Sequence, residues 1–161
     1  MYIHIALNTN ITGFRNTATG SFALSANTSG ENNSAFGRRA LGENTTGSNN
    51  TAIGFETGAN NLTGSGNVFI GYQAGYNTIN PSFGQGYNIF LGYQAGYNET
   101  GENKLYIENS NSSTPLIYGE FDNRLVRVDG NLQRMIFGGT ETTTSGTIHI
   151  RNNTNWATQA D

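Results

Sequence analysis

The 161-residue chain has no cysteine, only two prolines and only 12% charged residues. Without cysteine there are no disulfides, no thiolate catalysis and no Cys-type zinc or iron site; the redox compartment stays open, because chains of many compartments lack cysteine. No apolar run reaches the roughly 18 residues that a membrane-spanning helix needs. The opening Met-Tyr-Ile-His-Ile lacks the charged and apolar regions of a signal peptide, so delivery to a surface would need another route. The net charge is −3, with an isoelectric point near 5.3. Arg38-Arg39 is the one basic pair, and nucleic-acid binding requires a basic stripe.

What replaces these residues is glycine, asparagine and threonine, at 22, 24 and 20 copies, about 41% of the chain. All three rank low in helix propensity, which excludes a helical bundle. Charge-rich disorder is excluded as well, because aromatics reach 11%. A turn-rich β architecture remains.

An internal repeat organises the first two thirds. Units begin at Asn16, Asn33, Asn50, Asn67 and Asn88, at intervals of 17, 17, 17 and 21 residues. Each opens with a three-residue run, from Thr17-Ala18-Thr19 to Ile89-Phe90-Leu91, that ends on Gly20, Gly37, Gly54, Gly71 or Gly92. A second β-like piece centres on Ala23, Ala40, Thr57, Ala74 and Ala95. Ala6-Leu7 and Thr12-Gly13 sit 17 residues before Ala23-Leu24 and Ser29-Gly30, so the chain reads as if it begins inside a repeat.

Two strands and two glycine corners per unit describe one coil of a β-solenoid or β-roll, with equivalent positions stacked about 4.8 Å apart. Stacked Asn and Thr then form side-chain ladders. Alternation puts Ala18, Ala35 and Ala52 on one face, and Phe36, Ile53, Ile70 and Leu91 on the other. The alanine interior is thin, and small cores need support. The second line is therefore predicted as a trimer interface or core line, three chains around one axis. Replacement of the middle alanine by Phe69 and Phe90 predicts a wider section, and Thr78 to Tyr87, with four extra residues and Pro81, predicts a bulging loop.

From Asn103 the repeat stops. Lys104–Ile107, Leu116–Tyr118, Leu125–Val128 and Thr147–Ile150 read as ordinary strands. The predicted organisation is a repeat β-roll head over 1–102, a β cap or transition region over 103–137, and a tail or the start of another module over 138–161.

The units Asn-Ser-Ala-Phe-Gly-Arg-Arg-Ala-Leu (33–41) and Asn-Thr-Ala-Ile-Gly-Phe-Glu-Thr-Gly-Ala (50–59) resemble the head repeats of trimeric autotransporter adhesins. The set is also similar to repeats of phage tail fibres and of Bacteroidetes-type surface or injection-system fibres. There Asn-Val-Phe-Ile-Gly-Tyr-Gln-Ala-Gly-Tyr-Asn (67–77), with the endings Asn-Lys-Leu-Tyr-Ile-Glu-Asn-Ser (103–110) and Pro-Leu-Ile-Tyr-Gly-Glu-Phe-Asp-Asn (115–123), closes the head. The likeness covers about residues 6–130. It implies a left-handed parallel β-roll, three chains per head, and a role in adhesion or fibre construction outside the cell. The repeats are longer than is usual in adhesin heads, and no stalk or anchor function is carried over.

Little catalytic chemistry is legible. His4 and His149 have no neighbouring nucleophile motif. Gly64-Ser-Gly66 and Gly84-Gln-Gly86 lack the strand–helix context of a phosphate loop. Glu99, Glu102, Glu108, Glu120, Asp122 and Asp129 are candidates for the paired carboxylates of a polysaccharide-cleaving solenoid, but their spacing is irregular. The nine-residue Asp repeat of calcium solenoids is missing, and a threonine plane of the ice-binding kind gives way to Val68 and Ile89. Sequons at Asn10, Asn27, Asn44, Asn61 and Asn98 are by-products of the repeat if the source is bacterial or viral. Exposed aromatics are the default glycan contacts, which singles out Phe83, Tyr87 and Trp156.

The resulting expectation is a non-enzymatic homotrimeric fibre or adhesin module without cofactor or metal. Its partners would be its own copies and a cell-surface glycan or protein, with no nucleic acid and no membrane insertion. The alternatives are a pure shaft or spacer, and a solenoid enzyme acting on polysaccharide.

Overall fold

A computed structural model describes residues 5–78 and 86–128. Within them the protein is all β, a solenoid of about five coils carrying one eight-stranded sheet in sequence order. The first five strands are β1 (Thr17–Thr19), β2 (Ser34–Phe36), β3 (Thr51–Ile53), β4 (Val68–Ile70) and β5 (Ile89–Leu91); β6 (Lys104–Ile107), β7 (Ile117–Glu120) and β8 (Leu125–Val128) follow.

β1 to β6 pair in parallel and in register, so Ala18, Ala35, Ala52, Phe69, Phe90 and Tyr106 form one column. Ala35, Ala52, Phe69 and Phe90 are fully buried. β6, β7 and β8 pair antiparallel. The reversal ends the parallel stack, and the Tyr106 ring meets Phe90 and Tyr118 edge-on at 5.2 and 5.4 Å. The predicted strands at 104–107 and 125–128 are present, and that at 116–118 is shifted to 117–120. The predicted strand at 147–150 and the stretch 129–161 lie outside the described residues.

The second β-like piece of each coil is not a strand. It is a turn whose buried centre is flanked by two left-handed residues: Phe22 and Leu24 around Ala23, Arg39 and Leu41 around Ala40, Glu56 and Gly58 around Thr57. Gln73 and Gly75 flank Ala74, and Gln94 and Gly96 flank Ala95, in the same way. Around Ala40, Thr57 and Ala74 the amides on the two sides bond to opposite neighbouring coils, as Arg39 N–H does to Ser21 O (2.8 Å) and Leu41 N–H to Thr57 O (2.9 Å). The turns thus stack by hydrogen bonding without extended backbone.

These turns also explain how the core accommodates phenylalanine. Where the strand offers Ala18 or Ala35, the turn supplies Leu24 or Leu41, both fully buried. Where it offers Phe69 or Phe90, the same turn position is Gly75 or Gly96. A Cβ there would lie 2.8 Å from the Phe69 ring and 2.6 Å from the Phe90 ring. Leucine adopts the same positive φ, 49° at Leu24 against 62° at Gly75, so ring volume, not backbone angle, demands glycine here. In these four coils a large side chain on one side faces a small residue on the other; the third coil has Ala52 with Gly58, and the space over Gly58 is taken by the Phe69 ring of the next coil.

Two asparagine ladders run along the axis. In the first, Asn27, Asn44 and Asn61 donate Nδ2 to the Oδ1 of the Asn one coil before, at 2.7, 2.9 and 3.3 Å. Each also donates to the glycine carbonyl three residues on, at 2.9–3.0 Å. In the second, the amides of Asn33, Asn50, Asn67 and Asn88 donate to the Oδ1 of the preceding rung, all at 3.0 Å, and Lys104 N–H closes the series on Asn88 at 2.9 Å. Because Asn27, Asn44 and Asn61 are fully buried, their sequons are structural positions without room for a glycan.

Candidate functional site

The outward sheet face carries the predicted apolar line. Phe36, Ile53 and Ile70 are 41%, 43% and 39% exposed, and Leu91 is half-buried. None belongs to the core, whose column is the middle residue of each strand. One glycine further along each coil, Arg38, Phe55, Tyr72 and Tyr93 form a second column. The Arg38 guanidinium lies 5.2 Å from the Phe55 ring centre, and the rings stack at 5.4 and 5.1 Å. Glu56, Gln73 and Gln94 run beside it, each Gln donating to the preceding rung at 2.9 Å. Stacking consumes the ring faces between Phe55, Tyr72 and Tyr93, so this column offers edges rather than flat platforms.

Of the predicted ligand contacts, Tyr87 is 65% exposed. Its ring lies over Gly66, where a Cβ would come within 2.9 Å. Phe83 and Trp156 lie outside the described residues, as do His4, His149 and Asp129.

The carboxylates have separate duties. Glu108 braces the loop between β6 and β7 by accepting from Asn109 N–H (2.7 Å), Ser110 Oγ (3.2 Å) and Leu116 N–H (2.8 Å). Glu120 accepts from Tyr118 Oη and Asn123 Nδ2 and pairs with Lys104 Nζ at 3.2 Å. These bonds hold the Glu120 carboxyl down to about 2, with the Tyr118 hydroxyl the largest cause. For Lys104, burial opposes the ammonium, but bonds to Glu120 and Tyr118 outweigh it and the value is raised. The Lys104 ammonium and the Asn123 carboxamide therefore both converge on the Glu120 carboxylate. Among the described residues no group of three metal-ligating side chains occurs.

Among the described residues a cleft of about 190 Å³ lies between the last coil and the β6–β7 loop. Tyr97, Asn98, Glu99 and Tyr106 line one side, and Asn111 and Ser113 the other. Tyr97 is stacked on Tyr76 at 5.1 Å. Glu99 Oε1 accepts from Gly101 N–H at 2.7 Å, and its Oε2 accepts from the Tyr106 hydroxyl. Burial, followed by that bond, pushes the Tyr106 phenol well above its ordinary value, so it remains a donor. Of these residues the sequence singled out Glu99 as a candidate carboxylate and Asn98 as a sequon; the cleft depends on a loop folding back over the final coil, which has no motif. No family model, no curated protein and no solved structure matches the chain.

Proposed function

We propose that this chain is a non-enzymatic segment of an extracellular attachment fibre, a left-handed β-roll that assembles as a homotrimer. The observation that carries the reading is the exposed line Phe36, Ile53, Ile70 and Leu91, one apolar residue per coil on the outward face of a parallel sheet. A regular apolar stripe of this kind favours burial against a matching surface, and another copy of the chain offers the same stripe at the same axial spacing. Three copies on one axis would turn weak surface contacts into avid ones. The partner beyond its own copies would be a cell-surface glycan or protein.

The engagement of Glu99, Glu108 and Glu120 in different local hydrogen-bond sets supports a non-enzymatic role over the polysaccharide-acting alternative. A spacer without ligand is the second reading, favoured by the consumption of side chains in ladders and stacks. Light scattering of the full chain, repeated on dilution, tests the assembly. The expected mass is about 52 kDa, three times 17.3 kDa, falling to the single-chain mass for Ile53→Asp. A stable single-chain mass for the unaltered protein would overturn the proposal.

A further inference from the structure

We infer that the cleft between the last coil and the β6–β7 loop is a subsite for one neutral pyranose ring, the terminal hexose of a glycan. The inference deepens the attachment reading and rests on it for its biological sense. Four observations converge.

The cleft, about 190 Å³, lies below the roughly 300–1,000 Å³ of sites for drug-sized ligands, which suits a single ring. Tyr97 borders it with a ring already fixed by its stack on Tyr76. One face of Tyr97 is covered by Tyr76; the opposite face is the one that would receive the C–H side of a pyranose through its negative quadrupole. Glu99 is clamped from within by Gly101 N–H and the Tyr106 hydroxyl. It therefore presents a preorganised carboxylate to sugar hydroxyls, whose O–H groups donate to it in charge-assisted bonds. Across the cleft, Asn111 and Ser113 are exposed on a loop that Glu108 ties at both ends.

Glu99 is the one charged residue in the lining; Arg127 acts on Tyr106 only from outside it, so the carboxylate disfavours uronic and sialic acids and selects neutral sugars. None of the lining residues belongs to the Phe36–Leu91 line, so trimer formation through that line does not use up the site.

The test is saturation-transfer NMR of the full chain with the methyl pyranosides of glucose, galactose, mannose and N-acetylglucosamine, and with methyl glucuronide as the acidic control. At least one neutral glycoside is expected to bind with a millimolar dissociation constant, and the glucuronide not to bind. Glu99→Gln and Asn111→Ala should each weaken binding roughly tenfold, the loss of one good hydrogen bond. Asn111 is exposed and outside the core, so its variant keeps the fold. Absence of binding by every neutral glycoside overturns the inference, as does binding that both variants leave unchanged. Native mass measured on the same samples separates the two proposals: a trimer that binds no sugar overturns the subsite alone, and a sugar-binding single chain overturns the trimer alone.

Discussion

Truncating one rung of the second asparagine ladder probes the whole design. Asn50 is fully buried, and its side chain makes four hydrogen bonds. Nδ2 donates to Asn33 Oδ1 at 3.1 Å and Gly64 O at 2.8 Å, and Oδ1 accepts from Asn67 N–H and Asn67 Nδ2, both at 3.0 Å. In Asn50→Ala the Asn67 backbone amide loses its acceptor inside the stack, whereas the Gly64 carbonyl keeps the Asn61 Nδ2 donor at 2.9 Å. At about 1–3 kcal/mol for a buried polar group left unsatisfied, the expected loss is about 1–3 kcal/mol. That is an appreciable share of the roughly 5–15 kcal/mol that holds a domain folded. The assay is urea unfolding followed by circular dichroism. With a slope of about 2 kcal/mol/M, the midpoint should fall by about one molar. Ser29→Ala, at an exposed position, is the control and should stay within about 0.5 kcal/mol. Asn50→Asp adds a sharper sign. It replaces the donating Nδ2 by an acceptor facing Gly64 O and Asn33 Oδ1, so it should cost at least as much at neutral pH. Protonation in acid returns one donor and should reduce its deficit. An Asn50→Ala loss below about 1 kcal/mol would refute the ladder as a principal source of stability.

Two further outcomes follow from the core and the cap. Phe69 is fully buried and stacked on Phe90 at 5.3 Å, so Phe69→Ala should cost about 3–5 kcal/mol; adding Gly75→Leu rebuilds the Ala–Leu pairing of the first coils and should restore part of the melting temperature, whereas a further fall would refute the volume exchange. Glu120 has its carboxyl lowered from 4.5 to about 2 by Tyr118, Asn123 and Lys104; its contribution is therefore complete above pH 4.5 and lost as pH falls toward 2, and an acid titration of stability should show a shallower decline in that window for Glu120→Gln.

The repeat was readable because a solenoid imposes its period on the chain: every coil must present Gly, Asn and a small or aromatic residue at fixed places. Asn16, Asn33, Asn50, Asn67 and Asn88 therefore announced the stack, and period-two alternation separated Ala35 from Phe36. The second segment was misread as strand because a run such as Arg39-Ala40-Leu41 contains no glycine. Its left-handed residues are held by bonds to the coils on either side, which override local preference. The volume exchange was equally hidden, since it pairs Phe69 with glycines on the opposite side of the coil, including Gly58 in the coil before.

The sequence by itself determined the coil period, the parallel stacking and the end of the repeat near Asn103, because these follow from spacing along one chain. Only the tertiary structure decided which asparagines are ladder rungs, how the core exchanges leucine for phenylalanine, and where a cleft opens. Those features depend on neighbours that are close in space through hydrogen bonding between coils, or through the antiparallel return of β7 over β6. Loop 108–116 carries Asn111 to within reach of Tyr97 and Glu99 by folding, and the linear pattern holds no record of that approach.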